Sequence, residues 1–297
     1  MCYNGESKLE EFTLFLKERG ITLDKIDFKK RSTIGIGGVA NAVYPRSFTE
    51  LITVIDACEA QGVFYRVLGC LSNVLPPMQN EKTVYIVTRG LNAITLGDAP
   101  LVHAGATATE LLRQCVKHGK SGAEFLAGIP CTIGGAAFMN AGVNGRYFSE
   151  IVRSVIAYEN GEIKTYSKDE CEYSYKHSRF MQKGVIFAVV LDLQDTDSKT
   201  VSARIDGYLE NRKRLPKGKS MGCVFKNPNG YYAGALIEGA GLKGLRQGGA
   251  VVSCEHANFI INDGGATTED VKTLIEKVRL AVLKKYGVSL MEEIRYL

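Results

Sequence analysis

Three stretches of this chain carry residue types that could do chemistry, and all three are built on glycine. The first is the turn Gly69-Cys70-Leu71-Ser72-Asn73, which follows the short apolar run Val63–Leu68. A Gly/Ser/Asn turn closing a β-α-β arrangement offers backbone N–H groups to an anion, the chemistry of a phosphate site. The second runs from Glu124 to Gly145, dense in glycine and alanine and almost uncharged after Glu124. It has too few polar side chains for an ordinary surface loop. Gly128, Pro130 and the Gly134-Gly135 pair also interrupt any regular helical period. Small residues let a backbone come close to something, and two partners stay open: a phosphate or polar ring edge, or another backbone. The third is Gly222-Cys223 and the irregular loop that follows to Gly230. Cys70, Cys131 and Cys223 differ from the other cysteines because each lies in a glycine-bearing loop.

The bulk composition narrows the classes. With 297 residues, 45% hydrophobic and 23% charged, the chain has the make-up of a globular protein of two or three domains. A net charge of +5 suits an anionic small molecule and falls well short of a nucleic-acid footprint. No window approaches the roughly 18 apolar residues of a membrane span. The polar, acidic start from Met1 to Glu11 does not read as a signal peptide. A cytoplasmic protein, with neither nucleic acid nor membrane as a partner, is expected. The eight cysteines include no C-x-x-C pair, and the four histidines are not at zinc-ligand spacing. No metal site is expected, and most cysteines read as reduced, buried apolar residues.

The elements that must position these loops mix helices and strands, so the class is α+β. Residues 6–19 predict an amphipathic helix with Leu9, Phe12, Phe15 and Leu16 on one face. A helix over 49–62, capped by Ser47 or Thr49 and stopped at Gly62, leads to the strand 63–68. Short strands at 84–88 and 101–104 precede a helix over 107–119 with Gly119 as its stop. Asn160-Gly161 predicts a hairpin between 151–158 and 162–166. The polar run 174–180 precedes a buried strand at 185–193, and Asp195–Lys199 reads as a linker. Beyond it come a basic helix over 201–215, a helix at 232–239, a strand over 250–261 and a last helix over 268–285.

Taken in order, the motifs resemble one family. They are Thr33-Ile-Gly-Ile-Gly-Gly38, Leu68-Gly69 with Ser72-Asn73, Glu124-Phe-Leu-Ala-Gly-Ile-Pro130 with Gly134-Gly135, and Met139-Asn-Ala-Gly142. His177-Ser-Arg-Phe180, Val224-Phe-Lys-Asn-Pro228, Leu236-Ile-Glu-Gly-Ala-Gly241 and His256-Ala-Asn-Phe259 follow. Together they are similar to UDP-N-acetylenolpyruvoylglucosamine reductase in its shorter class, the flavoenzyme of early peptidoglycan synthesis. The resemblance covers about residues 30–297. It implies two FAD-binding lobes of the vanillyl-alcohol-oxidase type, at 1–80 and 81–196, and a C-terminal substrate-binding domain at 197–297. NADPH would give hydride to FAD, the reduced flavin would pass it to C3 of the enolpyruvyl group of a nucleotide sugar, and a protein acid would protonate C2. A monomer is expected.

Carried over residue by residue, the resemblance implies that Cys223, where the family usually has serine, is the proton donor. A thiol, with a solution pKa near about 8.5, is a competent acid. Glu293 matches a carboxylate that orients or protonates the intermediate, and Lys176 falls where the family has a catalytic arginine. Gly69, Cys70, Ser72, Asn73, Pro130, Gly134, Gly135, Asn140, Ala141, Gly142 and Arg179 would hold FAD. Arg214, Lys226, Asn227 and His256 would hold the substrate. The chain departs from the pattern at Lys176, which lacks the planar fork of arginine, and at Cys70, Leu71 and Cys131, which stand where glycines are usual. An arginine one turn before Arg214 is also missing. Two readings stay open: a working reductase, or a relative that kept the fold and lost or changed its activity.

Overall fold

The computed structural model describes Asn4–Leu297, with side chains from Lys8 onward apart from Glu81. Met1, Cys2 and Tyr3, at the start of the polar N-terminal stretch, lie outside the described residues. The chain forms two compact units that exchange it several times. The first takes Met1–Lys25, Asn41–Cys70 and Lys82–Lys213; the second takes Ile26–Ala40, Leu71–Glu81 and Arg214–Leu297.

The first unit has two apolar cores. In one, helix Asn4–Glu18 sets Phe12 and Leu16 against Leu51, Val54 and Ile55 of helix Phe48–Gln61, with Val84 and Ile86 beneath. Ser47 caps the second helix by accepting the Glu50 N–H, and Gly62 ends it at φ 63°. Such a cap stabilises by about 1 kcal/mol. The strand Phe64–Leu68 then pairs in parallel with Asn80–Val87 and delivers the chain to Gly69. The other core lies on an antiparallel sheet of five strands, in the order Glu162–Ser167, Val152–Glu159, Val185–Leu191, Leu101–His103, Ile94–Thr95. Helix Ala108–His118 starts with a Thr107/Glu110 capping box and ends at Gly119, the expected stop.

In the second unit an antiparallel sheet runs Lys219–Cys223, Phe259–Asn262, Ala250–Val252, Arg246–Gln247. Helices Ala233–Gly239 and Thr268–Tyr286 pack with it through Leu236, Ile237, Val271, Leu274, Ile275 and Val278. Thr267 and Asp270 form a capping box, and Gly287 ends the long helix at φ 68°.

Three expectations are corrected. Asp195–Lys199 is not a linker: Gln194–Asp195 pairs with Lys120–Ser121, Lys120 meets Asp195 at 2.7 Å, and Asp197 caps helix Ser198–Arg212. A polar run can be ordered by backbone pairing and capping, neither of which needs apolar side chains. The strand over 250–261 is two strands, broken by a turn in which Ser253 Oγ accepts the N–H groups of Glu255 and His256. The glycine pair does not prevent a helix: Ile133–Met139 is helical, with Thr132 as its cap. Gly134 there answers a packing demand that outweighs its low propensity, since a Cβ on it would lie 2.7 Å from that of Ala104.

Candidate active site

The glycine turn and the glycine-rich stretch meet in the first unit. A Cβ on Gly69 would stand 2.3 Å from Thr132 Oγ1, so only glycine lets the end of strand Phe64–Leu68 reach this cap. Thr132 is 1% exposed, and its hydroxyl accepts the Gly135 N–H at 3.1 Å. Cys70 and Cys131 flank this contact, one on each strand of chain, and both are half-buried. Burial pushes the Cys131 thiol up to about 12, with the Cys70 thiol raising it further and the Arg212 guanidinium opposing. Burial also raises the Cys70 thiol, and Arg89 opposes there. Arg212 lies along the same stretch: a Cβ on Gly128 would be 2.7 Å from its Cδ. Pro130 is exposed beside it.

Past the helix, Asn140 adopts φ 44° as its C-cap and is 3% exposed. Its Nδ2 donates to Ser174 O at 2.9 Å, and its Oδ1 accepts the Ser149 N–H at 2.9 Å. The side chain is thus taken up inside the protein, fastening the 174–178 turn to the helix end. Ala141 and Gly142 continue into a second Asn-Gly hairpin, with Asn144 at φ 52° and Gly145 at φ 78°. In the 174–178 turn, Ser174 and His177 exchange both backbone hydrogen bonds at 3.2 Å around Tyr175 and Lys176. Lys176 is half-buried and held at φ 53°, a left-handed conformation that costs a non-glycine residue about 1–2 kcal/mol. Ser178, fully buried, donates to Phe138 O at 2.7 Å.

Arg179 points elsewhere. Its Nη2 pairs with the buried Glu159 at 3.2 Å, and its guanidinium lies 4.1 Å from the Tyr166 ring centroid. Its Nε is buried with no partner among the described residues. Glu159 also accepts from the Tyr166 hydroxyl and meets Lys183 at 3.4 Å. The Tyr166 hydrogen bond, with Lys183 and Arg179, holds the Glu159 carboxyl below the usual range against the opposing effect of burial. This network is a brace under the 174–180 segment.

The second unit gathers the other predicted residues on one backbone lattice. Glu293 donates its N–H to Val224 O at 2.8 Å, and Lys226 N–H reaches Met291 O at 2.8 Å. The segment after Cys223 therefore runs against the C-terminal tail, which brings Cys223 and Glu293 to the same strip of backbone. The tail then pairs Arg295–Tyr296 with Val74–Leu75, and Asn73 Nδ2 donates to Glu293 O at 3.2 Å. Asn73 thereby joins Glu293. Leu71, in the same turn, sits at φ 55° with a buried side chain. It supplies the left-handed backbone that a glycine would, and keeps its bulk off the turn's surface. Gly222 has φ 76° and open space where a Cβ would project.

Asn258 fixes this lattice and did not stand out in the sequence beyond its place in the His256–Phe259 motif. It is 3% exposed; its Oδ1 accepts the Phe225 N–H at 2.9 Å, its Nδ2 donates to Phe225 O at 2.8 Å, and its own carbonyl takes the Val224 N–H. His256 Nδ1 accepts the Asn258 N–H at 3.2 Å, which assigns the ring proton to Nε2. Burial lowers the His256 pKa, so the ring is neutral at pH 7. Asn227 Oδ1 accepts the Ala233 N–H at 3.0 Å at the start of helix Ala233–Gly239. Lys226 is half-buried and Arg214 exposed. Lys176 and Arg179 belong to the first unit, and Cys223, Glu293, Arg214, Lys226, Asn227 and His256 to the second. No group of three or more metal-ligating side chains is clustered among the described residues, and no described helix is long and apolar enough to cross a membrane.

The fit to a flavin dinucleotide can be judged on these facts. Of the positions where glycine is usual, Leu71 keeps the backbone conformation and buries its side chain, and Gly69 and Gly134 keep their close contacts. The residues present fit the group. Residues 39–166 match an FAD binding domain, and residues 213–297 match the C-terminal domain of UDP-N-acetylenolpyruvoylglucosamine reductase. The fold and these matches define an FAD-binding oxidoreductase. The UDP-N-acetylenolpyruvoylglucosamine reductase of Alkalilimnicola ehrlichii is 39% identical over 87% of this chain and 88% of its own. That of Bacillus subtilis is 35% identical over 96% and 98%. The crystal structure of the Thermus caldophilus enzyme superposes with a TM-score of 0.80 at 32% identity, covering 93% of this chain and 99% of that one. The chain belongs to the UDP-N-acetylenolpyruvoylglucosamine reductase family.

Proposed function

We propose that this protein is a working UDP-N-acetylmuramate dehydrogenase. It reduces the enolpyruvyl group of UDP-N-acetylglucosamine enolpyruvate with NADPH, in the cytoplasm, as a monomer, for cell-wall synthesis. What carries the reading is the backbone lattice of the second unit, where the Glu293 N–H on Val224 O sets Glu293 beside the residue that follows Cys223. The lobes 1–80 and 81–196 and the substrate domain 197–297 are part of this reading, with helix Ser198–Arg212 counted to the first compact unit.

Bound FAD supplies hydride transfer, from NADPH to C3 of the substrate. Gly69, Cys70, Pro130, Gly134, Gly135, Ala141 and Gly142 of the first unit would line it through backbone and small side chains. Asn140 and Arg179 shape that lining indirectly, since their side chains are spent on Ser174, Ser149 and Glu159. Cys223 Sγ delivers the proton to C2. Glu293 orients the enolate-like charge as it develops, and Lys176 stands for the cationic catalytic residue of the first unit. Arg214, Lys226 and Asn227 take the diphosphate and sugar, and neutral His256 supports them as a hydrogen-bonding group.

The test is spectroscopic. The purified protein should carry the oxidised-flavin band near about 450 nm, bleached by NADPH and restored on addition of the enolpyruvyl substrate. A protein that is colourless and gains no band with added FAD overturns the reading. The departures at Lys176, Cys70 and Cys131 would then mark a relative that kept the fold and changed its task.

A further inference from the structure

Cysteine accounts for two departures from glycine in this chain, and the structure sets those two cysteines on either side of one contact. Gly69 abuts Thr132, so closely that a Cβ there would fall 2.3 Å from Oγ1. Cys70 follows the first residue and Cys131 precedes the second. The Cys70 thiol lies near enough to Cys131 to raise it. Both are half-buried thiols in no disulfide, whereas Cys58, Cys115 and Cys171 are wholly enclosed at 0% exposure. Each has a guanidinium for a neighbour, Arg89 toward Cys70 and Arg212 toward Cys131. Arg89 is itself held by Gly105 O at 2.6 Å and Glu110 at 3.5 Å, and Arg212 by its packing over Gly128. Burial outweighs these guanidiniums and raises both thiols, so the thiolate, the nucleophile in thiol oxidation, forms more readily as the pH rises.

We propose that Cys70 and Cys131 form a redox pair that closes to a disulfide under a peroxide oxidant, clamping the turn at Gly69 to the glycine-rich stretch. The chemistry balances with hydrogen peroxide as the oxidant. The Cys70 thiolate attacks one peroxide oxygen, the O–O bond breaks, and water leaves with the thiol proton, giving a sulfenic acid. Cys131 sulfur then attacks Cys70 sulfur, and a second water leaves with the Cys131 proton and the sulfenic oxygen. Two thiols and one peroxide become one disulfide and two waters. The bond requires the two Cα atoms to come to about 4.4–6.8 Å, a spacing that chain neighbours of two residues in contact can reach. The consequence for cofactor rests on the flavin reading: both cysteines line the proposed FAD site, so the clamp stiffens and narrows it.

The experiment treats the full-length reduced protein with a small excess of hydrogen peroxide, alkylates the remaining thiols, and maps unreduced peptides by mass spectrometry. A Cys70–Cys131 cross-linked peptide, reversed by dithiothreitol, is expected. It should be lost in Cys70→Ser and in Cys131→Ser and kept in Cys254→Ser, which changes an exposed cysteine. Recovery of Cys70 and Cys131 as alkylated thiols, as sulfinic acids, or cross-linked to other cysteines overturns the proposal. In parallel, FAD uptake is followed by absorbance. The oxidised protein should take up FAD severalfold less than the reduced one, with recovery in dithiothreitol. A cross-link with unchanged uptake overturns the clamping role. A cross-link in a protein that never binds FAD upholds the pair and overturns the flavin reading instead.

Discussion

Removing the Asn258 side chain should damage stability and chemistry together, because one buried amide holds the backbone on which Cys223 and Glu293 sit. Asn258→Ala deletes two hydrogen bonds, 2.9 Å from Phe225 N and 2.8 Å to Phe225 O, at a position 3% exposed. Phe225 is itself 2% exposed, so water does not readily replace the lost partners. Each net hydrogen bond is worth about 1 kcal/mol, and a stranded buried group costs about 1–3 kcal/mol, which puts the loss at roughly 2–4 kcal/mol. With a urea slope of about 1–3 kcal/mol per molar, the unfolding midpoint should fall by on the order of 1–2 M. Asn258→Asp should be at least as damaging near neutral pH, because a carboxylate keeps the contact to Phe225 N–H but sets an oxygen against Phe225 O. As the pH falls the acid regains a donor, and the Asp variant alone should recover relative to wild type. Urea unfolding followed by circular dichroism at pH 7 and pH 4 checks both. An alanine variant within about 0.5 kcal/mol of wild type would refute the reasoning, since that is the scale of an ordinary surface change.

Three further outcomes follow from the first unit. Gly69→Ala must displace Thr132, so it should lower stability by about 1–3 kcal/mol and weaken FAD retention; unchanged thermal unfolding and flavin content would contradict the contact. Lys176→Gly relieves a left-handed lysine, so the thermal midpoint should not fall while turnover does; full turnover would make Lys176 a turn residue alone. The Glu159 carboxyl is held below its usual pKa, chiefly by Tyr166, so its contribution to stability is present above the unfolded value of about 4.3 and is lost as pH drops through the folded one. Wild type should therefore lose thermal stability between pH 5 and 3 more steeply than Glu159→Gln, and parallel pH profiles would remove Glu159 from the account.

Local chemistry made much of this fold legible. Ser47 caps its helix, Gly62 and Gly119 stop theirs, and Asn160-Gly161 turns its hairpin with both residues at positive φ. What was not legible depends on partners distant in sequence. Gly134 is a packing residue because of Ala104, and Gly69 because of Thr132. The polar 195–199 run is ordered because Lys120–Ser121 pairs with its first residues. At the site, order along the chain marked Cys223, Glu293 and Asn73, but only the folded backbone shows that Val224 and Asn73 both bond Glu293. Asn140 and Arg179 were expected near the cofactor; that their side chains also bond Ser174, Ser149 and Glu159 was not legible, since an amide or guanidinium carries no sign in sequence of which acceptor it will meet. Asn258 and Glu159 were missed for the same reason.

The central claim is that Cys223 supplies the proton in the second half of a flavin-dependent reduction. Rapid-mixing absorbance at about 450 nm separates the halves, because flavin bleaching by NADPH and its reoxidation by the enolpyruvyl substrate are read at one wavelength. Cys223→Ala should bleach at the wild-type rate and reoxidise at least about 100-fold more slowly, the low end of what a positioned acid contributes, with Cys223→Ser recovering much of the loss. Equal loss of both halves in the alanine variant, or reoxidation at the wild-type rate, would contradict it.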